Sequence, residues 1–178
     1  EGVELRTDME LITQYYNDRP WETYRRAILS VYGGKNIKII GEEGSLIDGS
    51  DCTDPQGEEG YRRPHGIFIT NVENITLTGY RIIDCGNFMH QIDNCRNITM
   101  THVTCLGGSD GVHLHLCENI LIDGVTFRNS PSWNVHMTYS KNVGTAHCKF
   151  SSFGILNGDG WDPDSSENCV LFDSEFDM

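Results

Sequence analysis

The chain has 178 residues, with 13 Lys and Arg against 26 Asp and Glu, and so a net charge of −13. This length suits one domain, but a chain this acidic is a poor candidate for nucleic-acid binding, because phosphate contacts need a basic patch. No apolar run approaches the roughly 20 residues of a membrane span. We therefore expect no nucleic-acid partner and no membrane partner.

The N-terminal third has a less regular pattern than the remainder. We expect residues 1–26 to form an irregular cover over the domain. AILSVY (27–32) alternates like a strand, and GSLIDG (44–49) predicts a first coil that closes on a glycine turn. Residues 50–64 have the composition of a loop, which accounts for the long gap before the next repeat.

A repeat begins at residue 35, where a charged residue and an Asn precede alternating apolar residues. Alternation favours strands over helices. Beyond residue 73 the repeat returns every 22 to 26 residues, which is typical of a solenoid. We predict an all-β chain, a right-handed, single-stranded parallel β-helix with its coils over 27–178, because parallel crossovers prefer that hand. The repeats are KNIKII (35–40), ENITLTGYRI (73–82), RNITMTHVTC (96–105), ENILIDGVTF (118–127), KNVGTAHCKF (141–150) and ENCVLFDSEF (167–176).

The repeated asparagines and the residues after them have structural explanations. Asn tolerates the left-handed conformation of a tight corner, and stacked Asn side chains can hydrogen-bond along the rod. Positions one, three and eight after each Asn are mostly apolar, which predicts stacks inside the coils. The anchor asparagines are Asn36, Asn74, Asn97, Asn119, Asn142 and Asn168.

A second strand precedes each anchor Asn. Counting back from the anchor, positions −5 and −7 are mainly apolar and are expected inside. Positions −6 and −4 alternate with them and should face out, including His113, His136 and Asp162. One outer face is therefore rich in His and Asp, and suits an extended polymer. Strict alternation would place Asp159, at position −9, on the inward side with Trp161, but the flanking Gly158 and Gly160 can break the alternation.

Seven Cys occur at spacings that match no zinc pattern. Most of them stand where a small apolar residue would fit. We expect buried free thiols rather than a disulfide framework.

Several segments together resemble the polygalacturonase-like glycoside hydrolases of family 28. The resemblance is carried by GSLIDG, RRPHGIFITNVENITLTGYRI, NSPSWNVHMTYSKNV and NGDGWDPDSSENCVLF, in that order. NGDGWD (157–162) matches the family motif N-T-D-G-I-D, with Gly158 for Thr and Trp161 for Ile. The resemblance implies a pectate-lyase-like solenoid and hydrolysis of galacturonan in pectin. The family's later G-D-D motif and Arg/Lys pair are absent, which implies a fragment cut at both ends and nearly inactive alone.

The resemblance also implies an inverting mechanism, in which Asp159 helps to activate water. Inverting enzymes separate their two carboxyl groups by about 6.5–9.5 Å to admit that water. The proton donor would come from the G-D-D motif. Asn157, Asp162, His136 and His113 are the expected substrate-binding residues, with His136 in the sequence WNVHM next to the substrate groove.

The stretch SDGVHLH (109–115) raises the question of a metal site. Its H-x-H pattern places His113 and His115 on one strand face, with Asp110 nearby. Zinc sites need three or four ligands, and two His with one uncertain Asp fall short. We expect no metal ion and no other cofactor.

Two other functions stay open on the same fold: a non-catalytic polysaccharide-binding module, and a polysaccharide lyase that uses calcium and a basic residue. The expected partner is a galacturonan-like polysaccharide, bound by a monomer. Localisation stays open as well; family resemblance implies an extracellular protein.

Overall fold

A computed structural model of the chain describes residues 27–52, 64–152, 154 and 158–177. The expected cover over 1–26 and most of the loop at 50–64 lie outside the described residues. Among the residues described, no helix is both long enough and apolar enough to span a bilayer.

The described residues form a parallel β-solenoid, which confirms the predicted fold class. Every strand pairing is parallel and joins equivalent positions of successive repeats. The strands of the first sheet are β1 (Ala27–Ile40), β3 (His65–Thr78), β5 (His90–Asp93), β6 (Arg96–Thr101), β8 (Val112–His115), β9 (Glu118–Asp123), β11 (Val135–Thr138), β12 (Lys141–Ala146), β14 (Trp161–Asp164) and β15 (Glu167–Phe172). Those of the second sheet are β2 (Leu46–Asp48), β4 (Arg81–Ile83), β7 (Thr104–Leu106), β10 (Thr126–Arg128), β13 (Lys149–Ser151) and β16 (Glu175–Asp177), and a short 3-10 helix covers Ser50–Cys52.

The first sheet has the strand order β14-β11-β8-β5-β3-β6-β9-β12-β15, with β1 paired to β3. The second sheet has the order β16-β13-β10-β7-β4-β2.

The anchor asparagines turn corners as predicted. All six have positive φ, between 53° and 64°. Each amide after the first donates to the side-chain oxygen of the preceding anchor, at 2.9–3.1 Å. This ladder sets the register of the coils on the outside of the rod.

The predicted apolar stacks form the core. The rings of Phe127 and Phe150 stack at 5.3 Å, and those of Phe150 and Phe176 at 4.6 Å. All seven Cys are free, and all except the half-buried Cys169 are buried, as expected. Burial raises the pKa of the Cys95 thiol to about 11, so this side chain packs as a small apolar group.

Alternation breaks once in each coil, just before the second strand. Gly111 lies at position −8 and Val112 at position −7, and both are inside the coil, where Gly111 meets the Phe127 ring. Two consecutive inward residues turn position −9 to the outer side. Strict alternation alone would point Asp159 inward, but Asp159 is exposed, between the buried Gly158 and Gly160, as its expected role in the NGDGWD motif requires.

Candidate functional site

The outer surface over strands β3, β5, β8, β11 and β14 gathers the polar residues predicted before the anchors. We call this surface the polar face and define it by positions −9, −6 and −4 of five successive coils. Its fifteen residues include five carboxylates and no Lys or Arg. They are His65, Phe88, Asp110, Trp133 and Asp159 at −9; Phe68, Gln91, His113, His136 and Asp162 at −6; and Thr70, Asp93, His115, Thr138 and Asp164 at −4.

Asp159 lies at the corner that leads into β14. Its carbonyl oxygen accepts hydrogen bonds from the Asn134 backbone N–H at 2.9 Å and from the Asn134 side-chain amide at 3.3 Å. Asn134 is completely buried and its amide also donates to Ser152 at 3.0 Å. The corner is thus fixed from inside the coil, which leaves the Asp159 carboxyl exposed on the polar face.

Three of the predicted site residues stand in register on adjacent strands. His113 pairs with His136, and His136 with Asp162. The imidazole rings of His113 and His136 stack with their centroids 4.6 Å apart, and the Trp133 ring lies 4.7 Å from that of His136. The sequence therefore predicted correctly that His136 lies beside Asp162.

The polar face is less exposed than alternation suggests. His113 is 6% exposed and His136 is 9% exposed, because each ring is covered by its neighbours along the ladder. The edge of the Phe88 ring against His113, at 4.9 Å, adds to this cover. Asp162 is half-buried. Any ligand on this face reaches Asp159 and Asp162 more readily than it reaches the two imidazoles.

Asp110 lies at position −9 of its coil and is fully buried. Its Oδ2 atom lies 3.5 Å from Nδ1 of His136. One ligand-type atom each from Asp110, His113 and His136 lies within 4.8 Å of the other two. Three metal-ligand side chains thus converge from two adjacent coils.

A short hydrogen-bond chain orients His113. The Gln91 amide donates to the Asp93 carboxylate, so Gln91 turns its carbonyl oxygen toward His113 Nδ1, at 2.9 Å. A carbonyl oxygen only accepts, and His113 Nδ1 therefore carries the proton. In the neutral ring the lone pair is then on Nε2, which lies 3.4 Å from the Thr138 hydroxyl.

The remaining sequence-predicted residues lie elsewhere or outside the described part of the chain. Asn157 falls among the residues that the structure does not describe. The H-x-H partner His115 is outside the cluster, with Nδ1 3.8 Å from Asp93. Sequence reasoning missed Trp133 and Gln91 as parts of the site. It also missed that His136 supplies the third ligand-type group, although the spacing of 23 residues from His113 equals one repeat.

These features define the class of protein as a parallel β-helix with a histidine- and carboxylate-rich outer face. A family model described as NosD, periplasmic copper-binding protein, matches residues 37–172, and the chain therefore belongs to the NosD family. A crystal structure of a candidate glycosyl hydrolase from Parabacteroides merdae superposes with a TM-score of 0.63, over 94% of this chain and 88% of that one. Its sequence identity is 13%, which shows a shared fold. No curated protein matches this chain in sequence.

Proposed function

We propose that this protein is a glycoside hydrolase acting on pectic polysaccharide, which lies across the polar face. The observation that carries the proposal is the exposed Asp159 carboxyl, one coil after the half-buried ring of Trp133. Ligand sites combine apolar and aromatic surface with a few precisely placed polar groups. Asp159 is the placed polar group, and the Trp133 ring supplies the aromatic surface.

Two further observations support a glycosidase. NGDGWD (157–162) resembles the catalytic motif of family 28 glycoside hydrolases, and its first Asp is the exposed one. The structural neighbour from Parabacteroides merdae is described as a candidate glycosyl hydrolase. Neither names the sugar, and the choice of galacturonan rests on the family 28 resemblance.

The proposed chemistry divides between two acids. One protonates the leaving oxygen and the other activates water on the opposite face of the sugar, with inversion at the anomeric carbon. We assign water activation to Asp159 because its carboxyl is exposed. Asp162 and Asn157 contact the sugar, and His136 and His113 form the floor beneath it. By the family 28 resemblance, the proton donor would be an acid of the G-D-D motif.

The charge of the face has a consequence for substrate choice. Five carboxylates without a Lys or Arg among the fifteen positions repel a polyanion such as polygalacturonate. Salt screens that repulsion, with a Debye length of about 8 Å at physiological ionic strength. Binding of de-esterified galacturonan should therefore tighten as salt increases, whereas binding of methyl-esterified pectin should change little.

Hydrolysis is tested on the complete gene product with polygalacturonate, methyl-esterified pectin and a rhamnogalacturonan. Asp159→Asn should lower kcat at least about 100-fold, the usual minimum for a general base. Asp173→Asn is the matched control, because Asp173 is an exposed carboxylate away from the polar face, beside His147. It should leave kcat unchanged. Proton NMR of the first product should show the inverted anomer.

The competing functions give different results in the same assay. An unsaturated product that requires calcium would make the protein a lyase, and binding without any cleavage would make it a binding module. Wild-type activity in Asp159→Asn would remove Asp159 from the mechanism. Each of these outcomes overturns the proposal.

We also propose that the protein works outside the cytoplasm. NosD is described as periplasmic, and polymeric pectin is an extracellular substrate. Cell fractionation with an antibody to the chain tests this, and a purely cytoplasmic signal would contradict it.

A further inference from the structure

We propose that Asp110, His113 and His136 bind one divalent transition-metal ion of the Zn²⁺ type. The three residues lie beneath the surface on which the polysaccharide is proposed to bind. The metal-site proposal does not depend on the proposed hydrolase function. The three side chains come from the corner before β8, from β8 itself and from β11. Their ligand-type atoms lie within 4.8 Å of one another.

The spacing between His136 and Asp110 is the first argument. Nδ1 of His136 is buried without a hydrogen-bond partner, and Oδ2 of Asp110 lies 3.5 Å away. This distance exceeds the 2.7–3.2 Å of an ordinary N–H···O bond. It nearly equals the roughly 3.3 Å between two ligands at about 2.0–2.1 Å from one tetrahedral ion. The pair is thus spaced as two ligands of a shared cation.

The orientation of His113 is the second argument. Metal-binding histidines usually donate their other ring N–H to an acceptor, which fixes the tautomer that ligates. In this protein the Asp93–Gln91 chain supplies that acceptor at Nδ1, 2.9 Å away, and keeps Nε2 as the lone-pair atom of the neutral ring. Gln91 is itself 7% exposed, so water competes little for this bond.

The third argument is the charge balance of the site. Asp110 is fully buried, where the attraction between a carboxylate and a cation is stronger than in water. A divalent ion held by Asp110, His113 and His136 would place two positive charges against one carboxylate and two neutral imidazoles.

The ligand set selects the class of ion. Two imidazoles and one carboxylate suit Zn²⁺ and neighbouring transition metals, whereas Ca²⁺ and Mg²⁺ require oxygen ligands. Three protein ligands leave a fourth position for water or another small ligand. The two imidazole planes lie 7° apart, so one ring must turn for the lone pairs to converge. His χ2 is a broad torsion that permits this turn.

The test is calorimetric titration of the metal-free protein with Zn²⁺, and with Mg²⁺ and Ca²⁺ for comparison. We expect one Zn²⁺ per chain and no saturable binding of the other two ions. Asp110→Asn and His136→Ala should each weaken Zn²⁺ binding at least about 100-fold, and Gln91→Leu about tenfold, as expected for removal of an outer-shell partner. His147→Ala is the matched control: its imidazole also meets a carboxylate, that of Asp123 at 2.6 Å, but lies outside the cluster. It should bind Zn²⁺ like the wild type.

Two measurements on the unmodified protein keep the test independent of variant folding. Long-range ¹H–¹⁵N spectra should show two of the seven histidines shifting with one equivalent of Zn²⁺. The Co²⁺ spectrum should lack thiolate charge-transfer bands, since the cysteines are not ligands. Absence of saturable Zn²⁺ binding, thiolate bands, or an equal loss of affinity in His147→Ala would overturn the site.

Discussion

Substituting Gly111 by Ala tests the claim that two consecutive inward residues turn position −9 to the outside. A Cβ on Gly111 would lie 2.5 Å from a Phe127 ring carbon and 2.7 Å from the Asn134 carbonyl oxygen. Phe127 is 1% exposed and stacked on Phe150, so its ring has no free space to enter. Overpacking of this kind costs about 1–3 kcal/mol. We expect the upper half of that range, because one of the close atoms is backbone.

The assay is urea and thermal unfolding followed by far-ultraviolet circular dichroism. A loss of about 2–3 kcal/mol corresponds to a fall in Tm of about 4–12 °C for a chain of this size. Gly144→Ala is the matched control, because the nearest atoms to its Cβ lie at 3.8 and 3.9 Å. It should stabilise by about 0.4–1 kcal/mol through the unfolded state. The reasoning is refuted if Gly111→Ala melts at or above the wild-type temperature while Gly144→Ala is the less stable variant.

Two other predictions concern buried and corner groups. Burial lowers the pKa of His90 to about 4, against about 6.5 in an unfolded chain. Its contribution to stability is therefore fully present above pH 6.5 and declines by roughly 3 kcal/mol as pH falls from 6.5 to 4. Urea midpoints from pH 7.5 to 4 should fall less steeply in His90→Gln, and parallel curves would contradict this. Asn119 has a φ of 60° and two ladder hydrogen bonds, at 3.1 and 3.0 Å; Asn119→Ala should cost about 1–2 kcal/mol more than Asn119→Gly, since only Ala is strained there. Equal urea midpoints for the two variants would show that the corner conformation carries no such strain.

The fold could be predicted from the sequence because its determinants are periodic. The anchor asparagines and the apolar positions after them recur at nearly constant spacing, and each repeat makes the same contacts with its neighbours. When one repeat departs from the pattern, the other repeats still specify the same coil. The strand pairs β11–β14 and β8–β11 therefore joined the residues that the alignment of repeats had matched.

The site was harder to predict because it depends on the point where the period fails. Strict alternation alone points Asp159 inward, against the exposed position that its role in the NGDGWD motif requires, and it gives no reason for Asp110 to meet His136. Both differences have one cause, the second inward residue at position −8. The signal was present in the sequence as Gly66, Gly111 and Gly160, which share this position, although Met89 and Asn134 in the coils between obscure it.

The family resemblance illustrates a second limit. A parallel β-helix imposes the same apolar and Asn pattern on members with different activities, so most of the matched residues report the coil and not the chemistry. The chain belongs to the NosD family, and the part of the family 28 resemblance that concerns chemistry is the short stretch NGDGWD. This six-residue motif predicts a corner and one acid. It does not predict the groove residues that would select galacturonan as the substrate.

The separation of core and site within one coil has a functional consequence. Positions −7 and −5 and the apolar positions after the anchor build the core, and positions −9, −6 and −4 build the polar face, so the face can change its chemistry while the stacks remain intact. Position −8 couples core and face, because Gly111 and Gly160 lie against core Phe rings and each directly follows an acid at −9. Gly160 illustrates this coupling: a Cβ there would lie 2.4 Å from the Phe176 ring, and Asp159 precedes it. A substitution at −8 should therefore affect stability and site geometry together, whereas one at −6 should affect the site alone.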